Sequence, residues 1–399
     1  MVPQTEKKRT FAFVITADEY ALLLTDEVQQ AIAAARGRNP EEVALDRHVP
    51  CARLVATQVK YLARAAGKLP SYAAAQCILP PRAFEQASSE ACAAHKQIEG
   101  EAVLDLTCGL GVDTLFLSRR FRRVVTLERD EVLATVAREN FRRLGAKNID
   151  VVAMSAENFL AQTREHFDWV YADPDRRSAE GRKLVKLEDC SPPIPALRPL
   201  IQRVTKRLCL KNSPLFDVDE AFRLFPKARV EVVSLNGECK EVMIHDDGSG
   251  PEITATALNS HSGKRSFTIP ADTPPPPHPG HFGAAGYHWL VVPDVALQKA
   301  RLARLHLTGM AHIWSDNGFG FAAEEPREAI GKVFAIERIE PYDPRGLKRV
   351  LHGRGVTIIK RDFPLPTEEI MRRTGLHAGD DLRIAFTKID GTSWTIWLK

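Results

Sequence analysis

Between residues 101 and 225, short apolar runs alternate with amphipathic segments, and this alternation constrains the fold more than any other feature of the chain. Residues 102–106 read as a short buried strand, and 124–127, 149–152, 169–172 and 208–211 as further strands. Residues 113–120, 131–144, 156–164, a segment ending at Val204, and 217–225 read as the helices between them, the second closed by Gly145. Alternation at this spacing means right-handed crossovers and a parallel sheet. The block ends differently: residues 230–235, then Asn236-Gly237, then residues 239–244 spell strand, turn, strand. Asn-Gly supplies the two positive-φ positions of a tight hairpin, so the parallel sheet closes on a reversed strand. Residues 254–258 and 266–269 are expected as edge strands.

The flanks are of other kinds. Roughly the first 97 residues are helix-rich, with amphipathic segments at 26–36 and 53–67 and one more helix expected over 84–96. Residues 271–280 include four consecutive prolines, Pro274 to Pro277, a stiff spacer that marks a domain boundary. Beyond it, strands over 356–360, 382–388 and 393–398 and a helix over 366–374 spell an α+β segment. At 399 residues with 27% charged side chains, the chain reads as a multidomain globular protein. No run reaches the roughly 20 apolar residues of a membrane span, so no membrane association is expected. The seven cysteines are odd in number and scattered without a CxxC pair, which argues for reduced thiols and against structural zinc; no metal is expected. Lys7, Lys8 and Arg9 precede a short apolar run that Asp18 and Glu19 cut off, unlike a secretory signal, so a cytoplasmic location is expected.

The chemistry concentrates at one turn. Asp105-Leu-Thr107-Cys108-Gly109-Leu-Gly111-Val-Asp113 is the end of a strand, a glycine-rich turn and a helix start. Glycines let the backbone approach a ligand closely, and a helix start favours anionic groups. A dinucleotide would want G-x-G-x-x-G, but the third position here is Thr114. S-adenosylmethionine (SAM) sites instead place an acid at the end of the first strand, which Asp105 supplies for the methionine ammonium or ordered water. Glu128 ends the second strand, where a carboxylate can take both ribose hydroxyls in either cofactor. Ala156 and Glu157 follow the third strand, at the adenine edge. The reversed last strand favours SAM. Asp173-Pro174-Asp175-Arg176-Arg177 ends the fourth strand, where ligands of open α/β sheets sit. Asp173 there can accept a hydrogen bond from the group receiving a methyl or act as its base. Arg176 and Arg177 can fork onto a phosphate, and Arg176 can stack on a base. Lys211 ends the fifth strand beside them and can line the pocket or contact substrate.

Charge adds a second site. Residues 331–399 carry 13 Lys and Arg against 9 Asp and Glu, while the remaining residues carry 42 of each, so the whole net charge of +4 lies in that segment. Arg345, Lys348, Arg349, Arg354, Lys360 and Arg361 follow one another with no acid between them, a plausible polyanion footprint.

Residues 84–269 resemble the class I SAM-dependent methyltransferases, with Thr107 standing where the D-x-G-x-G-x-G pattern has its first glycine. The resemblance implies a Rossmann-like α/β core binding SAM through Asp105, Thr107, Cys108, Gly109, Gly111, Asp113, Glu128, Ala156, Glu157 and Asp173. The segments at 60–70, 85–90, 105–113, 173–177, 292–300 and 357–364 together look like bacterial methyltransferases with a C-terminal THUMP-like domain. That wider resemblance implies a helical region over 1–83, the methyltransferase domain over 84–270, a small ferredoxin-like domain over 281–328 and a THUMP-like domain over 329–399. It also implies an RNA partner, tRNA or rRNA. Asp173 and Arg176 would then be the catalytic pair, with Arg176, Arg177, Lys211, Arg349, Arg354, Lys360 and Arg361 on the substrate. The alternative is a small-molecule or protein acceptor, with the C-terminal domain as a lid or oligomerisation module.

Overall fold

The computed structural model describes residues 15–175, 187–260, 263–351 and 353–399. They form two compact units: residues up to Asn212 with His245–Asp247, and Ser213–Ile244 with Gly248–Lys399.

The first unit opens with seven helices: α1 (Ala17–Leu23), α2 (Asp26–Ala34), α3 (Pro40–Leu45), α4 (Ala52–Lys68), α5 (Pro70–Ala74), α6 (Pro81–Gln86) and α7 (Glu90–His95). Thr16, Thr25, Asn39 and Ser89 cap four of them by accepting a hydrogen bond from a first-turn N–H. The helix expected over 84–96 is thus two short helices. Ala87 is extended, Ser89 caps α7, and the Ser88 hydroxyl turns to Asp113 instead of continuing a helix.

There follow β1 (Gly100–Asp105), α8 (Val112–Leu117), β2 (Phe121–Glu128), α9 (Glu131–Arg143), β3 (Ile149–Ala153), α10 (Ala156–Gln162), β4 (Trp169–Ala172), α11 (Ile194–Val204) and β5 (Leu208–Asn212). The strands are parallel in the order β3-β2-β1-β4-β5. The order reverses direction beside β1, so the carboxyl ends of β1 and β4 flank a switch point. The register sets Asp105 against Thr126 and Tyr171, and Ala172 against Leu210. The helical start is part of this unit's core. Leu69, Tyr72, Leu79 and Phe84 pack with Leu110, Leu115, Phe116 and Phe141. The buried Asn140 of α9 accepts from the Ile78 N–H at 2.8 Å and donates to the Ile78 carbonyl at 2.9 Å, tying the α5–α6 connection to α9.

The second unit begins with α12 (Val218–Leu224), β6 (Arg229–Leu235), β7 (Glu238–Asp246), β8 (Glu252–Asn259) and β9 (Gly263–Pro270). Asn236 and Gly237 sit at φ 53° and 80°, so β6 and β7 form the expected hairpin. Strand β8 lies parallel to β6, and β9 antiparallel to β8. After the proline segment come β10 (Trp289–Pro293), α13 (Val295–Lys299), α14 (Ala303–His306), β11 (His312–Ile313), β12 (Gly320–Ala322), β13 (Gly331–Pro341), α15 (Pro344–Leu351), β14 (Gly355–Lys360), α16 (Thr367–Thr374), β15 (His377–Ala378), β16 (Leu382–Ile389) and β17 (Thr392–Leu398). Strands β10 to β17 share one eight-stranded mixed sheet, ordered β11-β12-β10-β13-β17-β16-β14-β15. Leu347 and Leu351 of α15 and Ile370 of α16 bury against Ile384, Phe386 and Trp397 of that sheet. Among the described residues no helix is long and apolar enough to cross a membrane, and all seven cysteines are free thiols.

Replacing Asn140 by Ala strands the buried N–H and carbonyl of Ile78. The expected cost is about 3 kcal/mol, read as a lowered urea midpoint with an unchanged slope.

Candidate functional site

The glycine turn is built around one carboxylate. Asp105 is fully buried. Its Oδ1 accepts from the Thr107 N–H at 2.9 Å and the Thr107 hydroxyl at 3.3 Å. Its Oδ2 accepts from the hydroxyls of Thr114 at 2.6 Å and Thr126 at 2.8 Å. Burial pushes its pKa up to about 6 in spite of these donors. Asp105, expected at the methionine end of a cofactor, is shut off from solvent by these contacts. Its oxygens point into the protein, and it anchors the loop. Thr107, at the first glycine position of D-x-G-x-G-x-G, and Thr114, at the third of G-x-G-x-x-G, supply two of those anchoring hydroxyls, and Thr126 the third.

The backbone of the turn follows. The Cys108 N–H donates to the Leu127 carbonyl at 2.8 Å, and the Tyr72 hydroxyl donates to the Leu110 carbonyl at 3.3 Å. Cys108 is buried, and burial pushes its thiol well above the ordinary range. Gly111 is left-handed at φ 85°, and a Cβ on it would come within 2.4 Å of the Phe141 ring. Gly109 is also left-handed, but a Cβ there would meet no atom within 4 Å. Its N–H donates to Glu128 Oε2 at 2.9 Å, and Glu128 Oε1 accepts from the Asp130 N–H at 3.0 Å. Burial raises the Glu128 carboxyl, which these two N–H groups partly offset. Ala156 is buried at the start of α10 and Glu157 is half-buried in its first turn, both just beyond the end of β3. The turn thus combines an open glycine with an acid at the end of β2, as a nucleoside-bearing ligand needs.

Asp173 follows β4. Its N–H donates to the Thr107 hydroxyl at 2.7 Å, so the end of β4 is fastened to the glycine turn. Its carboxylate, one-third exposed, meets the Lys211 ammonium at the end of β5. Asp113, expected at the cofactor, accepts at Oδ2 from the Ser88 hydroxyl at 2.8 Å and the Tyr171 hydroxyl at 2.9 Å, and is ion-paired with Lys96 at 2.8 Å and Lys211 at 3.7 Å. Burial alone would raise this carboxyl, but the ammonium groups of Lys96 and Lys211 hold it well below the usual range. Asp175 bridges to Ser191 and lies 3.7 Å from Arg82. Arg176 and Arg177 lie outside the described residues. Lys96 escaped the sequence reading: a lysine closing a helix reads as surface, yet its side chain is 1% exposed.

The basic run of the second unit divides. Arg345, Lys348 and Arg349 sit at i, i+3 and i+4 on the exposed face of α15, opposite Leu347 and Leu351, and Arg354 is exposed just beyond. These four form no ion pair among the described residues. Lys360 is not free to join them, because its ammonium donates to the Leu365 carbonyl at 2.9 Å. Arg361 is half-buried, and burial lowers its guanidinium pKa. Of the expected substrate residues, Arg349 and Arg354 are exposed beside Arg345 and Lys348, while Lys360 and Arg361 are partly buried. Nearby Arg372 and Arg373 of α16 are both held by Glu369.

A Gly111→Ala substitution puts a side chain at a left-handed φ and against Phe141. It should destabilise the protein by about 2 kcal/mol or more and abolish the thermal shift that SAM induces, measured by differential scanning fluorimetry with and without SAM.

Comparison with known proteins agrees with this geometry. Residues 331–399 match the THUMP domain-like family, and residues 85–188 match the family described as conserved hypothetical protein 95. An uncharacterized SAM-dependent methyltransferase of Mycobacterium tuberculosis is 28% identical over 343 residues, which are 83% of this chain and 91% of that one. A 23S rRNA (uracil(1939)-C(5))-methyltransferase of Stenotrophomonas maltophilia is 43% identical over 84 residues, covering 20% of this chain and 19% of its own. The crystal structure of a Porphyromonas gingivalis W83 protein named as a methyltransferase superposes with a TM-score of 0.79 at 22% identity, over 97% of this chain and 99% of that one, and so shares the fold. The chain is a class I SAM-dependent methyltransferase with a C-terminal THUMP-like domain.

Proposed function

We propose that this methyltransferase modifies structured RNA, tRNA or rRNA, docked through its THUMP-like domain. The observation that carries the reading is the unpaired basic face of α15, which lies within the segment matching the THUMP domain-like family. Arg345, Lys348 and Arg349 present three cations along one helix face while the neighbouring arginines of α16 are neutralised. Such a face suits phosphates, and its contacts release counterions. The partial match to an rRNA methyltransferase points the same way.

In the first unit, the turn at Gly109 and Gly111 would receive the body of SAM, Glu128 its ribose hydroxyls, and Ala156 and Glu157 its adenine edge. When bound, SAM supplies an electrophilic methyl group. Asp173 would orient the accepting atom of the target nucleotide by accepting its hydrogen and would take the released proton. The Lys211 ammonium beside it is ion-paired with that carboxylate. The Thr107 hydroxyl fixes Asp173 relative to the turn. Arg176 and Arg177 would hold a phosphate flanking the target.

Tritium transfer from labelled SAM into RNA from cells lacking this protein tests the reading. Label is expected in one RNA size class and absent with Asp173→Ala. Label found only in protein or small-molecule fractions would overturn the RNA reading. A second measurement addresses docking. Changing Arg345, Lys348 and Arg349 to Glu should weaken RNA binding about tenfold or more and flatten its salt dependence, with SAM affinity unchanged. Unaltered RNA affinity would remove the docking role of α15.

A further inference from the structure

Four charged side chains alternate in a row through the first unit. Lys96 Nζ lies 2.8 Å from Asp113 Oδ1, Lys211 Nζ lies 3.7 Å from Asp113 Oδ2, and the same Lys211 ammonium meets Asp173 Oδ2. The row runs outward. The side chains of Lys96, Asp113, Lys211 and Asp173 are 1%, 12%, 11% and 33% exposed. The Ser88 and Tyr171 hydroxyls complete the donors around Asp113. Only the outer end of the row reaches the place where substrate would sit.

We propose that Lys96 is a positioning residue for the transfer site: by fixing Asp113 it sets where the Lys211 ammonium stands, and so the aim of Asp173. This rests on the reading of Asp173 given above. The physical chain is short. Asp113 is the shared counter-ion of two ammonium groups. While Lys96 pairs with Oδ1, Lys211 stands at longer range from Oδ2 and remains in contact with Asp173. Without Lys96, the whole attraction of the buried Asp113 charge falls on Lys211, drawing it inward and away from Asp173. Besides the two lysines, Tyr171 on β4, Asp105 on β1 and Tyr72 on α5 face Asp113 among the described residues, and none of these three is a cation.

The sign of the pH effect follows. With both lysines present the Asp113 carboxyl lies below its ordinary range, so its stabilisation is present above that range and is lost only as pH falls far into acid. With Lys96 gone, one of the two cations opposing burial is lost and the carboxyl titrates higher than in the parent, so the loss begins at a higher pH.

The test uses full-length protein and tritium transfer from SAM into an extract of cells lacking it, separated into RNA, protein and small-molecule fractions. Rates are measured from about pH 5.5 to 8.5. Lys96→Met should lower kcat about tenfold or more with KM for SAM within about twofold, and should move the acid limb upward. Lys96→Arg should keep the limb in place. The double variant Lys96→Met/Asp113→Asn should be no slower than Asp113→Asn alone, because both changes act through one link. Thermal midpoints against pH give a readout independent of activity: that of Lys96→Met should fall between about pH 7 and 5.5 more steeply than that of Lys96→Arg. An unchanged rate in Lys96→Met, equal limbs in Lys96→Met and Lys96→Arg, or a double variant showing the product of the single losses would overturn the proposal. If Lys96→Met does not fold, the charge-neutral double variant decides on the same comparison with Asp113→Asn. Label outside the RNA fraction overturns the RNA reading and leaves this comparison intact, while an undiminished rate in Asp173→Asn overturns both the role of Asp173 and the proposal built on it.

Discussion

A carboxylate with no access to solvent, Asp105, holds together the parts of the site. Moving such a group out of water is costly unless donors replace its hydration. Here they come from three directions: Thr107 on the turn, Thr114 on α8 and Thr126 on β2. The same anion thereby fixes the strand that ends in it, the strand beside it and the helix after it. Thr107 carries the constraint one step further, since its hydroxyl also accepts from the Asp173 N–H of the neighbouring β4 end. A glycine at 107 or 114 would supply no hydroxyl, and the loop would lose donors that its buried anion requires. The turn is therefore held by side chains where a glycine-only loop would rely on its backbone.

Eight residues along, Asp113 faces the opposite environment. Asp105 sees hydroxyls and one N–H, and burial drives its pKa up to about 6. Asp113 sees two ammonium groups, which overcome burial and drive its carboxyl down. The consequences for stability have opposite signs. A raised carboxyl contributes stability that is full below its unfolded pKa and is lost as pH rises through about 6. A lowered one contributes stability that is present above the unfolded carboxyl range and is lost as pH falls. The loop and the lysine row beside it thus respond oppositely to pH, and near neutrality Asp113 is fully charged while Asp105 has given up its proton at a cost to the fold.

The strands of the first unit were legible as short apolar runs, a pattern set by local sequence, although only β4 is buried throughout and β3 buries no residue fully. The reversed hairpin was legible because Asn236 and Gly237 must both reach positive φ. The break in the helix expected over 84–96 was not, because what ends it is the turn of Ser88 toward Asp113, a partner 25 residues away. Lys96 was hidden for the same reason: nothing within its own helix marks it as buried, and its counter-ion arrives with the glycine turn. Asp105 and Asp113 were recognised as important, but their orientation was not, since which way a strand-end carboxylate points depends on the hydroxyls that three separate segments bring to it.

The basic segment shows where charge counting stops. Helices α15 and α16 both carry arginines, but α16 begins with Glu368 and Glu369, and Glu369 reaches Arg372 and Arg373 at i+3 and i+4. The acid before α15 is Asp343, whose carboxylate accepts the backbone N–H of Arg345 at 3.0 Å and forms no ion pair with the helix's cations among the described residues. Two helices of similar composition therefore differ in field: one is internally neutralised, and the other projects three cations from one face. At physiological ionic strength that field decays over roughly 8 Å, so it acts on a polyanion drawn close and hardly at all on a small neutral acceptor. The difference between the helices, and not the net charge of the segment, is what recommends α15 as the docking surface.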